Sequence, residues 1–477
     1  MNFEQVIGLE VHCELKTNSK MFSAAPVTFG EEPNTQVNEV DMGMTGTMPV
    51  LNKRGVEFAI RVCHALHMEI DELLCFDRKN YYYSDLPKGF QITQDKRPIG
   101  RNGYIDIDIE GEKTRVEIER LHMEEDTAKQ FHFEDYSLID YNRAGIPLIE
   151  IVTRPNIRSG AQAAAYLEKL RQILLYTDVS DAKMEEGSMR CDVNISIRPY
   201  GSEKFGIRTE IKNLNSISNV QKAIEFEALR QERVLIQGGE VLQETRRFDE
   251  DTKETVVMRA KGDAVDYKYY TEPNILPIRL DHQWVLKIKD ELPMLADERE
   301  KLYIEKHGIP KTDAHILVAS KEVSDFYEQA ILTCHEYKLV CNWLLGEVQA
   351  YLNKENLTIN ETKLTPEYLG KMINFIQDGT ISSKQAKKVF ECLMKEGKDP
   401  EIIIEEKGMK QISDVNVLTQ IINEVLDQNE QSITDFAAGK DRAVGFLVGQ
   451  IMKKTGGQAN PKVANQILIR LLKERTS

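Results

Sequence analysis

An imidazole stands between two carboxylates on one face of the first predicted strand. The stretch VIGLEVHCELKT (6–17) alternates strictly between apolar and polar residues, a pattern typical of a half-buried β-strand. Glu10, His12 and Glu14 therefore point the same way, about 7 Å apart from one to the next. Oxygen ligands with an occasional imidazole suit Mg²⁺, which stays partly hydrated in proteins and bridges to substrate phosphates. The pattern indicates a magnesium site that serves a phosphate-bearing substrate.

Further acidic residues lie in two other predicted strands. Glu150 is enclosed by apolar residues in IPLIEIV (146–152), and a buried carboxylate needs a metal, a base or a proton. If the strand that contains Leu121 and Met123 continues, its alternation places Glu124 on the polar face, whereas a β-bulge would place Glu125 there. The stretch RLHMEEDTAK (120–129) supplies the candidates His122, Glu124, Glu125 and Asp126.

A predicted hairpin repeats this pattern with both signs of charge. MRCDVNISIR (189–198) and FGIRTEIKNL (205–214) alternate between apolar and polar residues. Antiparallel sheets commonly have one wet face, so solvent exposure explains any single strand, and the alternative is that the face lines an active cleft. The polar residues of the hairpin include Arg190, Asp192, Asn194, Glu210 and Lys212.

The stretch FDRKNYYYSDLPKGFQ (76–91) complements the acids. Its cations can counter phosphate charge, and its aromatic rings offer flat surfaces for a nucleotide base. The chain has no GxxxxGK[ST] or GxGxxG loop, which excludes the P-loop and Rossmann types of nucleotide site. The candidates are Arg78, Lys79, Lys88, Tyr81, Tyr82, Tyr83 and Phe90.

Length and composition limit the class of protein. The 477 residues are too many for one core, and no apolar run approaches the ~20 residues of a membrane span. The N-terminus lacks the pattern of a signal peptide. Seven scattered cysteines without a CxxC pair indicate reduced thiols, so we expect a cytoplasmic protein without a membrane partner.

The order of the predicted elements indicates an α+β fold. Residues 1–292 contain hairpins such as YIDIDI (104–109) with RVEIE (115–119), and a helix over 159–177 with Ser159 as N-cap. Residues 293–405 contain amphipathic runs that predict an all-α domain, including a helix within 381–397 that starts at Ser382 or Ser383 and ends at Gly397. Residues 406–477 predict a small helical tail.

The tail differs from the rest of the chain in charge. Residues 440–477 carry a net charge of +6 and the remaining residues −21. A basic segment on an acidic protein can anchor a polyanion, and the alternative is a solvated pair of helices. Asn460 and Pro461 suit the N-cap and the first position of the last helix. Together with the preceding loop of Gly456 and Gly457, this helix start can expose backbone N–H groups to a phosphate.

Long motifs give the chain a resemblance to a known family. They are GLEVHCEL, FDRKNYYYSDLPKGFQIT, RLHMEEDTAK, DYNRAGIPLIEIVTRP, KMEEGSMRCDVNISIRP, TEIKNLNS, RRFDE and FLVGQIMKKTGGQANP. In this order, and over essentially the whole chain, they resemble the B subunits of bacterial aspartyl/glutamyl-tRNA amidotransferases. The resemblance implies an antiparallel-sheet cradle like the glutamine synthetase catalytic fold, a helical domain and a YqeY-like tail.

The resemblance also implies a reaction and partners. ATP phosphorylates the side-chain carboxylate of misacylated Glu-tRNA(Gln) or Asp-tRNA(Asn), and ammonia then attacks the acyl phosphate. An A subunit of the amidase type releases the ammonia from glutamine, a channel conducts it, and a small C subunit completes a heterotrimer. The sequence does not distinguish between the two tRNA substrates.

The resemblance assigns roles to individual residues. His12, Glu125 and Glu150 are implied as Mg²⁺ ligands with Glu10 close by, and Glu125 also as a gate for ammonia; Glu124 is retained beside Glu125 because of the strand alternation. Phosphate and substrate positioning falls to Lys79, Lys88, Asp192 and Glu210. The implied ATP contacts are Arg78, Lys79, Tyr81, Tyr83, Lys88, Arg190 and Lys212, and the tRNA contacts are Lys453, Lys454, Lys462 and Arg470.

The chain departs from the family at a zinc site. Where many members carry four cysteines, it has Phe22, Ser23, Ala24 and Ala25, and then Asn38, Glu39, Val40 and Asp41. Without thiolates we expect no zinc. Ser84 replaces a proline that is usual in the family.

Two other functions compete with this interpretation. One is a non-catalytic subunit that recruits tRNA, against which the acids Glu10 and Glu150 count, because a scaffold has no reason to bury carboxylates. The other is a free-standing ATP-dependent amide ligase, against which the basic tail counts.

Overall fold

The computed structural model describes residues 2–260, 267–412, 414–437, 440, 442–456 and 458–476. The chain forms two compact units, Met1–Leu295 and Ala296–Ser477. Among the described residues, no helix is long and apolar enough to cross a membrane. The sequence predicted boundaries after residues 292 and 405; the second lies inside one of the two units, and the three-domain division stays a prediction.

The described residues of the first unit form sixteen strands and four α-helices. The strands are β1 (Phe3–Glu14), β2 (Glu69–Ile70), β3 (Leu73–Leu74), β4 (Asp77–Asn80), β5 (Phe90–Thr93), β6 (Gly100–Ile109), β7 (Glu112–Glu125), β8 (Lys129–His132), β9 (Ser137–Asp140), β10 (Pro147–Thr153), β11 (Met189–Pro199), β12 (Thr209–Leu214), β13 (Glu244–Asp249), β14 (Glu254–Ala260), β15 (Lys268–Thr271) and β16 (Ile278–Arg279). The helices are α1 (Lys53–Ala65), α2 (Gly160–Tyr176), α3 (Ile217–Ile236) and α4 (His282–Asp290).

A nine-stranded sheet forms the centre of this unit, in the order β14-β13-β12-β11-β1-β10-β7-β6-β2. The predicted hairpins are confirmed: β6 pairs antiparallel with β7, and β11 with β12. The predicted antiparallel sheet is corrected at one pair of strands, because β12 and β13 run parallel and the large sheet is therefore mixed. The connection between them contains α3, and a helical crossover is what a parallel pair of strands requires.

The two faces of this sheet differ as the sequence predicted. The apolar residues of β1 are buried in a cluster with residues of α1, α2 and α3, including Leu167 and Val220. Ser159 caps α2, as predicted, by accepting a hydrogen bond from the backbone of Gln162. Because alternate residues of a strand point to opposite faces, the acids of β1 lie on the face away from this core.

A small three-stranded sheet, in the order β15-β4-β5, accompanies the large one. Its register places Tyr269 and Gln91 on either side of Lys79. Cross-strand partners project to the same side of a sheet, so these three side chains share one face. The pairing of β15 with β4 joins segments that are about 190 residues apart in the chain, and local sequence patterns did not predict it.

A buried ion pair holds the segment that lacks thiolates. Lys20 and Asp41 have side-chain exposures of 0% and 3%, and Lys20 Nζ lies 3.0 Å from Asp41 Oδ2. Asp41 also accepts hydrogen bonds from Ser23 Oγ at 2.7 Å and from the backbone N–H of Asn38 at 3.0 Å. Lys20 Nζ donates to the backbone carbonyl of Tyr141 at 3.3 Å. We call these residues the Asp41 network; its donors satisfy both carboxylate oxygens.

The Asp41→Ala substitution is expected to destabilise this segment by about 3–5 kcal/mol, because Lys20 would remain buried without a counter-charge. Urea unfolding and the rate of proteolysis near residues 22–46 measure the effect. A matched control is Asp178→Ala, whose carboxylate pairs with Lys16 at 2.5 Å but is 58% exposed; it should cost less than about 1 kcal/mol. Equal effects of the two substitutions would contradict a structural role for the Asp41 network.

The second unit is helical among its described residues. Its α-helices are α5 (Ala296–Glu305), α6 (Lys311–Ala319), α7 (Lys321–Cys334), α8 (Tyr337–Trp343), α9 (Gln349–Glu355), α10 (Pro366–Gln377), α11 (Ser383–Glu396), α12 (Pro400–Glu406), α13 (Val415–Asp427), α14 (Glu430–Ala437), α15 (Arg442–Lys454) and α16 (Pro461–Thr476). A π-helical turn (Leu344–Val348) joins α8 to α9, and a 3₁₀ turn (Ile359–Glu361) precedes α10.

Predicted helix ends in this unit are confirmed. Ser382, the first of two candidates, is the N-cap of α11, and Gly397 ends that helix in the left-handed conformation at φ 67°. Asn460 Oδ1 accepts hydrogen bonds from the backbones of Lys462 and Val463 at the start of α16. Helices α13, α15 and α16 bury a core of their own, which includes Leu418, Leu447, Ile451, Leu468 and Leu472.

Candidate active site

A row of polar side chains crosses four strands of the large sheet. It lies on the face opposite the apolar core, which we call the open face. His12 of β1 lies opposite Arg190 of β11 on one side and Glu150 of β10 on the other. Glu150 in turn lies opposite His122 of β7. Adjacent residues in such a row stand about 5 Å apart, so the sheet register alone brings together residues that are distant in sequence.

His12, Glu124 and Glu150 form a compact group. His12 Nε2 lies 3.3 Å from Glu150 Oε2 and 3.6 Å from Glu124 Oε1. One ligand atom from each residue lies within 4.8 Å of those of the other two. His122 Nε2 lies 3.1 Å from Glu150 Oε2, so it supports this carboxylate from the next strand. We call His12, Glu124 and Glu150 the carboxylate–imidazole triad.

The structure distinguishes between the two neighbouring glutamates. The strand alternation holds through Leu121 and Met123, which are buried in the core, and it places Glu124 beside His12. Glu125 points elsewhere: it forms an ion pair with Lys88 and accepts a hydrogen bond from the backbone N–H of Ile92 at 3.0 Å. The carboxylate that joins the triad is therefore that of Glu124.

The charges of the triad depend strongly on one another. Burial opposes the charge on His12, but Glu150 and Glu124 outweigh it and raise the pKa of His12 to about 9. Burial would raise the pKa of Glu150, yet His122 and His12 hold it well below its usual value. Burial and the charge of Glu150 raise the pKa of Glu124. Two carboxylates this close favour a nearby cation, and this donor set fits a divalent metal ion.

A second polar group extends the site along β1. Asn194 Nδ2 donates a hydrogen bond of 2.8 Å to Glu10, and burial, Glu150 and Asp192 raise the pKa of Glu10. Lys212 Nζ lies 2.9 Å from Asp192 and 3.1 Å from Glu210. The register places Glu10 directly opposite Asp192. The predicted residues of β1, β11 and β12 therefore form one connected set.

Arg190 links the row to a second pair of acids, Glu14 and Asp126. Its Nη2 lies 2.6 Å from Asp126 Oδ2. Burial and the adjacent Asp126 raise the pKa of Glu14 to about 8, while Arg190 and Arg143 hold the pKa of Asp126 below its usual value despite burial. Arg190 thus forms an ion pair with Asp126 in this structure. The expected role of Arg190 as a nucleotide contact would compete with this pair.

The cations of β4 differ in their partners. Arg78 is bound to the buried Glu272 through two contacts of 2.5 and 3.1 Å, so its expected role at a nucleotide competes with an internal pair. Lys79 Nζ lies 4.7 Å from the ring centroid of Tyr267 and 5.6 Å from that of Tyr81. Tyr83 is 61% exposed and available for stacking. The rings of Tyr267 and Tyr269 are additions that only the pairing of β15 with β4 reveals.

Comparison with known proteins identifies the family. A family model described as the GatB/GatE catalytic domain matches residues 5–286, and one described as the GatB domain matches residues 325–472. The chain belongs to the GatB/GatE family. The B subunit of the aspartyl/glutamyl-tRNA(Asn/Gln) amidotransferase from Oceanobacillus iheyensis is 56% identical over 476 residues, which cover 100% of both chains. The corresponding protein of Lysinibacillus sphaericus is 56% identical over 468 residues (98% of both chains), and that of Staphylococcus saprophyticus is 54% identical over 475 (100% of both).

The two GatB/GatE family models contain the two groups of candidate residues. Every candidate of the open face lies within residues 5–286, and the basic candidates of the tail lie within residues 325–472. In the tail, Lys454 pairs with Glu424, and Arg470 lies 3.9 Å from Glu474. Lys453 and Lys462 are exposed, and no ion pair of theirs is found within the described part of the chain.

One sequence expectation about the tail is corrected in part. The N–H groups at the start of α16 were expected to face a phosphate, but Asn460 already accepts the hydrogen bonds of Lys462 and Val463. Gly456 is described with a φ of 59°, whereas Gly457, the other half of the predicted loop, lies outside the described residues. The exposed lysines are therefore the better candidates for phosphate contacts.

The placement of Glu124 gives a direct prediction for metal binding. Glu124→Gln removes a carboxylate from the triad and should weaken Mn²⁺ binding at least about tenfold, with Mn²⁺ as a spectroscopic substitute for Mg²⁺. Glu125→Gln, the matched control one residue away, should change the Mn²⁺ affinity by less than about twofold, because its carboxylate faces Lys88. The reverse order of the two effects would show that Glu125 is the ligand.

Proposed function

We propose that this chain is the subunit that activates and amidates the aminoacyl group in an ATP-dependent tRNA amidotransferase. The reaction converts misacylated Glu-tRNA(Gln) or Asp-tRNA(Asn) to Gln-tRNA(Gln) or Asn-tRNA(Asn). Similarity over the full length to the B subunits of such enzymes supports the overall activity. The observation that carries the assignment of chemistry to this chain is the carboxylate–imidazole triad on the open face of its sheet, in which Glu124 is buried and His12 and Glu150 are partly buried.

The triad is proposed to hold Mg²⁺. His12, Glu124 and Glu150 would be its ligands, with Glu10 beside them, and Glu125 is left with Lys88. When bound, the ion would neutralise charge on the transferring phosphoryl group. His122 contacts Glu150 and would orient it. We also propose that no zinc is bound, because the Asp41 network holds the segment where other members have cysteines.

The remaining residues of the cleft are proposed to bind and position the substrates. Lys79 lies near the rings of Tyr81 and Tyr267, and its ammonium group on a flexible side chain is suited to a phosphate. The exposed ring of Tyr83 is suited to stacking on a nucleotide base. The connected set of Glu10, Asp192, Glu210 and Lys212 is suited to the amino group and the ribose hydroxyls of an aminoacylated tRNA end. Both substrates thus meet on the face that carries the triad.

Ammonia is proposed to reach this face past Glu125 and Lys88. Gly43, at a φ of 65°, packs so closely on Lys88 that a Cβ there would meet the lysine at 3.0–3.3 Å. The segment with the Asp41 network therefore fixes Lys88, and the ion pair with Glu125 can close the path until substrates are bound. The sequence has no amidase loop and no convincing glutaminase pair, so a separate A subunit is proposed to supply the ammonia.

The complete enzyme is proposed to be a heterotrimer with the A subunit and a small C subunit. The relatives are named as one subunit of an amidotransferase, which implies a multi-subunit enzyme. We place the reaction in the cytoplasm, where tRNA is aminoacylated. All seven cysteines are free thiols in the structure, which suits this reducing compartment.

Two assays decide among the three functions that the sequence left open. Purified complex is expected to hydrolyse ATP only with Mg²⁺ and faster with misacylated tRNA, whereas a recruiting scaffold would not contribute to hydrolysis. A free-standing amide ligase would hydrolyse ATP without any tRNA or partner. Amidation assays with Glu-tRNA(Gln) and Asp-tRNA(Asn) in parallel then identify the substrate, and failure with both would overturn the proposal.

A further inference from the structure

Arg120 occupies a position on the open face that the sequence analysis did not single out. The pairing of β10 with β7 shifts between Val152 and Thr153, opposite the residues just before Leu121. Ile118 is buried on the core side and so is Leu121, so the strand contains an extra residue between them. Such a bulge re-aims side chains and is common next to active sites. Here it places Arg120 on the same face as His122 and Glu124.

The register fixes where Arg120 lies relative to the triad. It stands opposite Val152 of β10, one row from Glu150 and His122, and Val152 stands opposite Glu10 of β1. From the small sheet, Tyr269 approaches the same region: burial, followed by Asp95, Glu124 and Glu150, raises its pKa to about 12, and Arg120 opposes this rise. Arg120 therefore lies one row from Glu150 and His122, and the ring of Tyr269 lies near it.

The guanidinium of Arg120 has no hydrogen-bond or ion-pair partner in the described part of the chain, whereas most neighbouring cations have one. Its Nε is buried and makes no hydrogen bond there. A buried donor left unsatisfied costs free energy, so an acceptor is expected when the site is filled. Lys79 has the rings of Tyr81 and Tyr267 near its ammonium group. Six other neighbouring cations are bound: Arg78 to Glu272, Lys88 to Glu125, Arg101 to the carbonyl of Lys96, Arg143 to the carbonyl of Thr127, Arg190 to Asp126 and Lys212 to Asp192.

The neighbour of Arg120 on β6 also favours an anion at this position. Arg101 stands directly opposite Arg120 in the register of β6 and β7. Like charges opposite each other on a sheet are destabilising, and an anion beside them would relieve the repulsion. Arginine binds anionic oxygen pairs through two parallel hydrogen bonds, which makes it a frequent partner of phosphoryl groups.

We propose that Arg120 binds an anionic oxygen pair of the reacting groups, namely the terminal phosphoryl group of the nucleotide. This inference rests on the proposed function, because it places the phosphoryl group between Arg120 and the triad. A carboxylate on the aminoacyl end of the tRNA has the same chemistry, so the experiment must separate the two sources.

The test measures binding of a non-hydrolysable ATP analogue and of ADP, both with Mg²⁺, to the assembled complex. Arg120→Gln should weaken the ATP analogue about 10- to 100-fold, the loss expected for a charge-assisted pair of hydrogen bonds. ADP lacks the terminal group and should lose less than about threefold. Arg120→Lys should recover only part of the loss, since it keeps the charge but not the paired geometry. Arg115→Gln is the matched control, because this exposed arginine of the same strand pairs with the exposed Asp106, and it should leave the ratio of the two affinities unchanged.

Other outcomes are equally informative. If Arg120→Gln leaves the ATP analogue unaffected but raises the KM for misacylated tRNA, the phosphoryl assignment is wrong and the carboxylate is the ligand. If both substrates bind Arg120→Gln as they bind the unmodified complex, Arg120 has no binding role. If the unmodified complex itself fails to bind the ATP analogue, the proposed function fails first. Unfolding midpoints of the two Arg120 variants show whether a loss reflects misfolding.

Discussion

Glu150→Gln should reduce tRNA amidation by about 10²- to 10³-fold, the range seen when one preorganised electrostatic contact to a transition state is removed. Glu150 is the centre of its row: His12 and His122 contact the same oxygen, Oε2, at 3.3 and 3.1 Å. Glutamine keeps the shape but removes the negative charge that a metal ion needs. Binding of Mg·ATP should therefore weaken as well.

The controls for this variant use both active centres of the proposed complex. Glutamine hydrolysis by the A subunit should persist, which shows that the complex has assembled. Glu117→Gln is a matched change on the same sheet. Glu117 is exposed, and its ion pair with the exposed Arg154 is long, at 3.7 Å. It should amidate at the unmodified rate. Amidation by Glu150→Gln at that rate would show that the triad is not the reaction centre.

Removal of the tail should weaken the binding of misacylated tRNA and reduce its salt dependence. Each lost phosphate contact lowers the slope of log K against log salt by roughly 0.7–0.9, and two contacts would reduce affinity about tenfold or more near physiological salt. The truncation should remove the residues after Lys410, not those after the predicted boundary at residue 405. Helix α12 extends to Glu406, and the Met409 carbonyl accepts a hydrogen bond from Gln385. Turnover at saturating tRNA should change much less.

Charge variants of the full-length chain test the same idea without a deletion. Lys453→Gln combined with Lys462→Gln removes two exposed lysines and should reproduce part of the effect. Lys454→Gln is the control, since its ammonium already pairs with Glu424. A tail that only stabilises the second unit predicts equal tRNA affinity and an equal salt slope for all of these proteins.

The sequence was most informative where the chain obeys a short period. The alternation in β1 correctly predicted which side chains leave the core, and the alternation through Leu121 and Met123 correctly favoured Glu124 as the neighbour of His12. Caps at Ser159, Ser382 and Asn460 followed from local chemistry. These features depend on residues fewer than about four positions apart, so no knowledge of the fold was needed.

Features that depend on distant pairings were not predicted. The parallel pairing of β12 with β13 follows from a crossover whose direction no local pattern encodes. Tyr269 reaches the open face only because β15 pairs with β4. The bulge before Leu121, which places Arg120 on the open face, appears only when the register of β7 against β10 is known. The Asp41 network likewise joins residues that are widely separated in sequence.

The central position of β1 has a consequence for biosynthesis. Strand β1 leaves the ribosome before its partners β10 and β11, whose residues are synthesised more than 130 positions later. At a synthesis rate of about 5–20 residues per second, β1 remains unpaired for on the order of 10–40 s. During this time its apolar face and its unpaired backbone groups are exposed to chaperones or to other nascent chains. His12 meets Glu150 only when β1 and β10 have paired, so the proposed metal site forms late and cannot assist the early steps of folding.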